Sequence, residues 1–263
     1  TAFAKPLPIT VTLELLGLPL EDAARLDHLL TTQRKKRGAA EGQEAAAELV
    51  EYLERRFAER MTAAPSADDD ILSAVLLGEI DGRPLSQDEK ISIIRLLLFG
   101  GFDTTAMTLT AVMHWLAEHP EDAARLRALD EIPDGMVEEF VRYASPAGYL
   151  RRTAAKDTTL GGCPLSAGDR ILMSYAAANH DPARFPCPGR LNLDRAASGH
   201  LAFGAGIHRC VGAWLAKLEL RIAIAEILRR YDAIALNGNG EILWDCGENL
   251  GMITLPLILT PRK

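Results

Sequence analysis

A single cysteine at the end of a glycine-rich segment is the clearest candidate for chemistry in this sequence. Residues 203–212 read FGAGIHRCVG, and the cysteine is Cys210. Glycines at positions 204 and 206 permit a tight turn against a flat surface, and the residues after Cys210 have helical periodicity. Since a helix N-terminus lowers the pKa of a thiol, Cys210 is a candidate nucleophile or metal ligand. A buried cysteine at the start of a helix is the structural alternative.

A second group of polar residues interrupts an apolar helical stretch. Residues 100–105 read GGFDTT, which places an acid and two threonines in the middle of a predicted helix. Asp103 and Thr104 are therefore candidate functional residues. The structural alternatives are a solvated stripe, or a hydrogen bond from Thr104 back to the carbonyl of Gly100 that bends the helix.

Several charged residues are weaker candidates when they are taken alone. Glu139 and Arg142 are three positions apart on a predicted helix and share a face, as many surface pairs do. Arg152 lies near the start of a β-rich region, five residues before Asp157. A solvated strand-end arginine is the alternative, and the neighbouring Arg151 could take the same role. Arg190 lies in the aperiodic segment 182–195.

The cysteine segment resembles the haem-ligand loop of the cytochrome P450 family, F-x-x-G-x-x-x-C-x-G, at every defining position. That resemblance implies haem b as the cofactor, with the Cys210 thiolate as the axial ligand of its iron. Such a ligand pushes electron density onto iron and favours cleavage of the O–O bond. It also implies that His208 donates to a haem propionate, that Phe203 packs near the sulfur and that Gly204 lets the loop turn against the ring. His200 is a candidate haem contact, with a structural role as the equal alternative.

The polar group in the long helix is similar to the family's oxygen-binding motif, A/G-G-x-D/E-T-T. It lies upstream of the cysteine loop, as it does in the family. The resemblance implies that Gly100 leaves room beside the iron. It also implies that Asp103 and Thr104 deliver protons during oxygen activation.

The same resemblance assigns the remaining charged residues. Glu139, Arg142 and Arg190 are expected to form a structural salt-bridge set that locks the cysteine loop, and buried charges of this kind must be fully paired. Arg152 is expected to hold a haem propionate, because a guanidinium donates two parallel hydrogen bonds to a carboxylate. Four apolar residues are expected to line the pocket of an apolar substrate, although each could equally be core: Leu96, Phe99, Leu150 and Met252.

Composition excludes several classes of function. The 263 residues include 29 Lys and Arg against 36 Asp and Glu, giving a net charge of −7, which argues against nucleic acid as a partner. The four cysteines include no CxxC pair, which favours a reducing, cytoplasmic setting over a disulfide framework. The longest apolar runs are cut by Arg95 and Asp103, and residues 1–20 lack signal-peptide features, so no membrane association is predicted.

Helical periodicity predicts a mainly α protein with small β-sheets, organised as a single domain over residues 1–263. An amphipathic helix is predicted for residues 41–61. A capping box of Ser86 and Glu89 predicts a long helix from about residue 87 to 119, with Pro120 opening the next helix. Further predictions are a helix at 135–144, a β-hairpin region at 151–179, a helix from the cysteine to about residue 231 and strands within 242–259.

As a P450-type monooxygenase, the chain is expected to insert one oxygen atom of O₂ into a small apolar substrate. Its electrons are expected from a ferredoxin-type partner that docks near Arg209. The first third of the family's usual length has no counterpart here, so the sequence is a fragment or a shorter polypeptide. The alternatives are a peroxide-driven hydroxylase, against which Asp103 and Thr104 argue, and a non-catalytic remnant, haem-binding or haem-free, that serves protein association.

Overall fold

The computed structural model describes residues 3–195 and 198–262. It is mainly helical with small two-stranded antiparallel sheets, which confirms the predicted fold class. Contacts among the described residues divide them into two compact units, one ending at Asp103 and the other beginning at Thr104. Each unit is described by itself, and the predicted single domain over residues 1–263 stays a prediction.

The N-terminal unit consists of helices packed around one apolar core. Leu13, Tyr52 and Phe102 are among the side chains enclosed there. The elements are α1 (Pro6–Leu16), α2 (Ala23–Lys35), α3 (Ala40–Thr62), α4 (Ile71–Leu76), the short strands β1 (Glu79–Ile80) and β2 (Arg83–Pro84), and α5 (Gln87–Phe102).

Two helix ends in this unit show how the sequence sets its boundaries. Gly17 ends α1 in the left-handed conformation at φ 65°, and its amide donates to the carbonyls of Leu13 and Glu14. The predicted capping box starts α5: the Ser86 amide donates to the Glu89 carboxylate at 2.8 Å, and the Glu89 amide donates to the Ser86 hydroxyl at 3.3 Å. The helix predicted at 41–61 is α3.

The C-terminal unit contains the glycine-rich loop and most of the β-structure. Its helices are α6 (Thr104–Glu118), α7 (Pro120–Arg127), α8 (Asp134–Ala144), α9 (Tyr175–Asn179) and α10 (Ala213–Arg230). Its strands are β3 (Tyr149–Thr153), β4 (Thr158–Leu160), β5 (Cys163–Leu165), β6 (Arg170–Ser174), β7 (Tyr231–Leu236), β8 (Leu243–Cys246), β9 (Leu250–Thr254) and β10 (Leu257–Pro261).

The predicted β-hairpin region is a pair of nested hairpins, in which β3 pairs with β6 and β4 pairs with β5. Arg152 lies opposite Ile171, and Arg151 lies opposite Leu172. Because neighbouring residues of a strand point to opposite faces, Arg151 and Arg152 lie on different faces of this sheet.

The long helix predicted for residues 87–119 is divided into α5 and α6 at Asp103. By length and composition alone, the stretch Gln87–Glu118 could cross a membrane. More than half of its most apolar window is buried inside the protein, and a core helix passes the same test.

Candidate functional site

The glycine-rich loop, residues 203–212, is held in one conformation by its own backbone. The amide of Cys210 donates to the carbonyl of Phe203 at 2.8 Å, which closes the loop. Gly204 and Gly206 have φ values of 68° and 65°, in the left-handed region that favours glycine. We call residues 203–212 the cysteine loop.

Cys210 lies just outside helix α10 and not within its first turn. The helix begins at Ala213, and Gly212 is its N-cap. The side chain of Cys210 is exposed, and so are those of its neighbours Ile207 and Val211, at 97% and 81% of their maximum. The loop therefore exposes a free thiol and two apolar side chains, and contact with an apolar surface would stabilise those side chains.

Both ring nitrogens of His200 take part in hydrogen bonds within the protein. The amide of Ala202 donates to Nδ1 at 3.2 Å, and Nε2 lies 2.6 Å from a carboxylate oxygen of Glu138. This network assigns the proton to Nε2. The ring also lies 5.8 Å, centre to centre, from the ring of Phe203. These contacts give His200 a structural role, and its predicted contact with haem stays a prediction.

Glu138 joins that histidine to helix α10. Its second carboxylate oxygen lies 2.9 Å from Nζ of Lys217, which is buried. The hydrogen bonds from His200 and Lys217 lower the pKa of Glu138 to about 2, although burial acts in the opposite direction. Sequence reasoning did not identify Glu138 or Lys217.

The E-x-x-R pair is the most completely enclosed charged pair in the described part of the chain. Glu139 and Arg142 both have 0% exposed side chains, and Nε of Arg142 donates to Glu139 at 2.6 Å. Remaining donors of the guanidinium reach three carbonyls, those of Asn179, Pro188 and Arg190. The pair thus holds the segment that leads to the cysteine loop.

The predicted third member of this set, Arg190, is corrected by the structure. It is the Arg195 side chain that donates to Glu139, at 3.1 Å, whereas Arg190 contributes its carbonyl and has an exposed side chain. The chain between the two arginines is irregular, so sequence spacing could not tell which side chain turns inward.

Asn179 is a further buried residue that sequence reasoning missed. Its carbonyl accepts from Arg142, its amide nitrogen donates to the Ser145 hydroxyl at 2.9 Å, and its amide oxygen accepts from the backbone of Leu201 at 2.6 Å. It therefore connects the E-x-x-R pair directly to the chain just before the cysteine loop. No sequence signal marked this residue, because residues 151–179 were predicted to form a β-hairpin region.

The proposed oxygen-site residues fall at the junction of the two helices α5 and α6. Asp103 belongs to the N-terminal unit, where its carboxylate lies 3.5 Å from Arg34 and 3.9 Å from Lys5. Thr104 begins α6 in the C-terminal unit, and its carbonyl accepts from the Thr108 hydroxyl at 3.0 Å.

The two glycines before Asp103 have different structural roles. A Cβ added to Gly101 would lie 2.3 Å from the Thr12 hydroxyl of α1, so α1 approaches α5 closely because this residue is glycine. A Cβ on Gly100 would meet nothing within 4 Å outside its own helix. Packing against α1 therefore explains why residue 101 is glycine. The role predicted for Gly100, which is to leave room beside the iron, stays a prediction.

The other predicted site residues are unequally placed. Arg152 is half-buried and donates to the carbonyl of Arg151 at 2.9 Å. Leu96 is 68% exposed on α5, whereas Met252 is 4% exposed, so the core alternative fits Met252 better. Phe99 is half-buried against the N-terminal core, Leu150 is exposed on β3 and His208 is exposed in the cysteine loop.

The chemistry of the loop fits an iron porphyrin. A porphyrin is flat and apolar and brings its own nitrogen ligands, so it needs from the protein an apolar surface and one further ligand. The exposed Ile207 and Val211 provide apolar surface beside the Cys210 thiol. A thiolate is a ligand of haem iron in proteins, and His208 can donate to a carboxylate.

Comparison with known proteins identifies the family. The family model for cytochrome P450 matches residues 26–261, so the chain belongs to the cytochrome P450 family. It is 38% identical over 246 residues to the cytochrome P450 monooxygenase PikC of Streptomyces venezuelae, which covers 92% of this chain and 58% of PikC. It is 35% identical over 248 residues to 6-deoxyerythronolide B hydroxylase of Saccharopolyspora erythraea, which covers 92% of this chain and 60% of that enzyme.

The solved structures that resemble this chain are cytochromes P450 as well. The structure of CYP108D1 from Novosphingobium aromaticivorans is 34% identical with a TM-score of 0.88, over 98% of this chain and 62% of that one. The structure of a mutant of P450 EryK in complex with erythromycin B is 30% identical with a TM-score of 0.90, over 99% of this chain and 69% of that one. The chain thus spans 58% and 60% of the two relatives named above. Members of this family bind haem b through a cysteine thiolate, and haem b is the cofactor that the family assigns to this chain.

Proposed function

We propose that the chain forms the haem-binding part of a cytochrome P450 monooxygenase and that Cys210 supplies the axial thiolate. The observation that carries this proposal is the cysteine loop, in which an exposed thiol stands on a backbone closed by the 2.8 Å bond from Cys210 to Phe203. The other cysteines lack such a setting: Cys163 and Cys246 lie on strands, and Cys187 lies in the irregular segment before the loop.

The bound haem would supply the redox chemistry that activates O₂. The protein supplies the thiolate of Cys210 and donors for the two propionates, for which we propose His208 and Arg152. An arginine and a histidine suit this task because both donate to carboxylates. Arg151 lies on the opposite face of the hairpin, so only one of the two arginines can face the haem.

Proton delivery is the proposed task of Asp103 and Thr104. The reaction consumes the substrate C–H bond, O₂, two electrons and two protons, and it yields an alcohol and water. Asp103 has a partly exposed side chain, so it can exchange protons with solvent. Lys5 and Arg34 hold its carboxylate within the N-terminal unit, and Thr104 follows it directly in the chain.

The proposed substrate is an apolar small molecule. In the N-terminal unit, Leu96 is an exposed and Phe99 a half-buried apolar side chain of α5. Two solved relatives are in complex with small organic molecules, one with erythromycin B and one with testosterone. We propose a substrate of this general class.

We further propose a cytoplasmic protein that receives electrons from a ferredoxin-type partner. Arg209 is exposed beside Cys210, where a positive charge suits a small acidic protein. Charge reversal at Arg209 is expected to slow reduction of the iron by such a donor and to leave the haem spectrum unchanged. An unchanged reduction rate would remove Arg209 from the docking surface.

Isotope-labelled O₂ tests the proposed reaction. With a ferredoxin, its reductase and an apolar ring compound as substrate, the product is expected to carry one labelled oxygen atom. Asp103→Asn and Thr104→Ala are expected to lower product formation while NADPH consumption continues. Product formation with peroxide but none with O₂ and the reductase would instead identify a peroxide-driven hydroxylase.

A further inference from the structure

The chain just before the cysteine loop is tied to two helices by one carboxylate. Glu138 on α8 lies 2.6 Å from His200 through one oxygen and 2.9 Å from Lys217 of α10 through the other. His200 and Lys217 side chains are 5% and 8% exposed, so water competes little for these bonds. We call these three residues the Glu138 bridge.

The bridge reaches Cys210 in two short steps. The His200 ring accepts from the Ala202 amide and lies beside the Phe203 ring, so the bridge fixes the backbone that enters the loop. The carbonyl of Phe203 then accepts the amide of Cys210 at 2.8 Å. A displacement of His200 would therefore displace the backbone of Cys210.

We propose that the Glu138 bridge is a positioning device for the Cys210 thiolate: it holds the entry to the cysteine loop and thereby preserves thiolate ligation of the iron. This inference rests on the proposed function for its spectroscopic part only. The mechanical part, that Glu138 restrains the loop, is independent of haem. Neither Glu138 nor Lys217 needs to touch the cofactor.

The competing explanation is that Glu138 and Lys217 only hold α8 against α10. A second set of ion pairs near the same two helices provides a control for this explanation. Arg221 of α10 forms ion pairs with Glu131 and with Asp134, the first residue of α8. This second tie joins the same two helices without touching residues 200–203. Arg221→Gln therefore removes a tie between α10 and the α8 region but leaves the loop entry restrained.

Hydrogen exchange tests the mechanical part. In Glu138→Gln and Lys217→Gln, the amides of Ala202 and Cys210 are expected to exchange about tenfold faster, because a charge-assisted hydrogen bond is lost. Lys217→Arg, which keeps the charge, is expected to restore slow exchange. Arg221→Gln is expected to leave both amides unchanged. Unchanged exchange in Glu138→Gln, or equal acceleration in Arg221→Gln, would overturn the bridge.

The spectrum of the reduced, CO-bound protein tests the part that concerns sulfur. The Glu138→Gln variant is expected to lose the red-shifted band of thiolate ligation about tenfold faster than the unmodified chain does. The Arg221→Gln variant is expected to lose this band at the same rate as the unmodified chain. Faster exchange with an equally durable band would overturn positioning of the thiolate. Absence of the band from the unmodified chain would contradict the proposed function, while the exchange result would still decide whether Glu138 restrains the loop.

Discussion

At the scale of single residues, the guanidinium of Arg142 illustrates how a buried charge is tolerated. Each of its nitrogens donates a hydrogen bond, to Glu139 or to a backbone carbonyl. The carboxylate of Glu139 in turn also accepts from Arg195 and from the amide of Asn192. Both charges are therefore fully paired, and removing either one would leave the other buried without a partner.

Substitution of each of the three arginines near Glu139 is expected to change the free energy of unfolding by a different amount. Arg142→Met is expected to lower the free energy of unfolding by about 3–5 kcal/mol, because Glu139 is left uncompensated. Arg195→Gln is expected to cost about 1.5–3 kcal/mol, since one charge-assisted bond is lost. Arg190→Gln is expected to change it by less than about 0.5 kcal/mol, because its carbonyl alone takes part. Urea unfolding followed by circular dichroism measures all three, and an Arg190→Gln as costly as Arg195→Gln would contradict the observed pairing.

The sequence predicted the charged pair better than its surroundings. Glu139 and Arg142 share a helix face, and helical spacing is regular enough to be recognised from the sequence. Asn179, Arg195 and Glu138 were missed because their partners lie tens of residues away along irregular chain. His200 was recognised as notable, but only its two hydrogen bonds decide its role.

At the scale of elements, two neighbouring glycines of α5 differ in their packing. Gly101 must be glycine because α1 packs against it, whereas Gly100 has room for a larger side chain. Gly101→Ala is expected to lower stability by about 1–3 kcal/mol, because the new methyl overlaps the buried Thr12 side chain. Gly100→Ala is expected to raise it by about 0.5–1 kcal/mol, because alanine favours the helix and the space is open.

Thermal unfolding of the two variants measures this difference. Adding Thr12→Ala to Gly101→Ala is expected to recover part of the loss, since it removes the hydroxyl that the new methyl overlaps. Equal effects of the two alanine variants would contradict the packing of α1 on α5. If Gly100 also borders the iron, Gly100→Ala will shift the haem spectrum without loss of stability.

Helix α10 carries a carboxyl group whose protonation links stability to pH. Glu219 is buried, and its Oε2 has no hydrogen-bond partner within the described residues. Burial raises the pKa of Glu219 from 4.5 to about 7. The folded chain thus holds a proton that the unfolded chain has released, so stability is complete below about pH 4.5 and falls as the pH rises through about 7.

Glu219→Gln is expected to remove this pH dependence. Since glutamine is always neutral, the variant should be more stable than the unmodified chain at pH 8 by about 1–2 kcal/mol, allowing for water near a partly enclosed carboxyl. The two should be nearly equal near pH 4.5. Glu226→Gln on the exposed side of α10 is the control: the pKa of Glu226 is lowered to about 2 by Arg229 and Arg230, so no step between pH 5 and 8 is expected. A pH profile unchanged in Glu219→Gln would contradict the assignment.

Prediction of the elements succeeded where a local signal exists and failed where tertiary packing decides. The capping box and the period of α3 were sufficient to place those helices. The break at Asp103 was not predicted, because GGFDTT is compatible with both a continuous and an interrupted helix. The start of α10 at Ala213, beyond Cys210, likewise depends on how the cysteine loop closes.

At the scale of the whole molecule, the chain has a core in each of two units and spans 58% and 60% of two curated relatives. The two residues proposed for proton delivery belong to different units, Asp103 to the N-terminal unit and Thr104 to the C-terminal unit. The fold class and family were predictable because a few motifs keep a fixed order along the chain. The individual contacts that lock the cysteine loop were not, since they join segments far apart in sequence.

The most direct test of the central claim is the spectrum of the reduced chain with CO. We predict that the haem-reconstituted protein shows the red-shifted band of thiolate ligation, that Cys210→Ser abolishes it, and that Cys246→Ser, an exposed cysteine on β8, leaves it intact. A chain that takes up no haem, or a Cys210→Ser variant that keeps the red-shifted band, would contradict the assignment of Cys210 as the axial ligand.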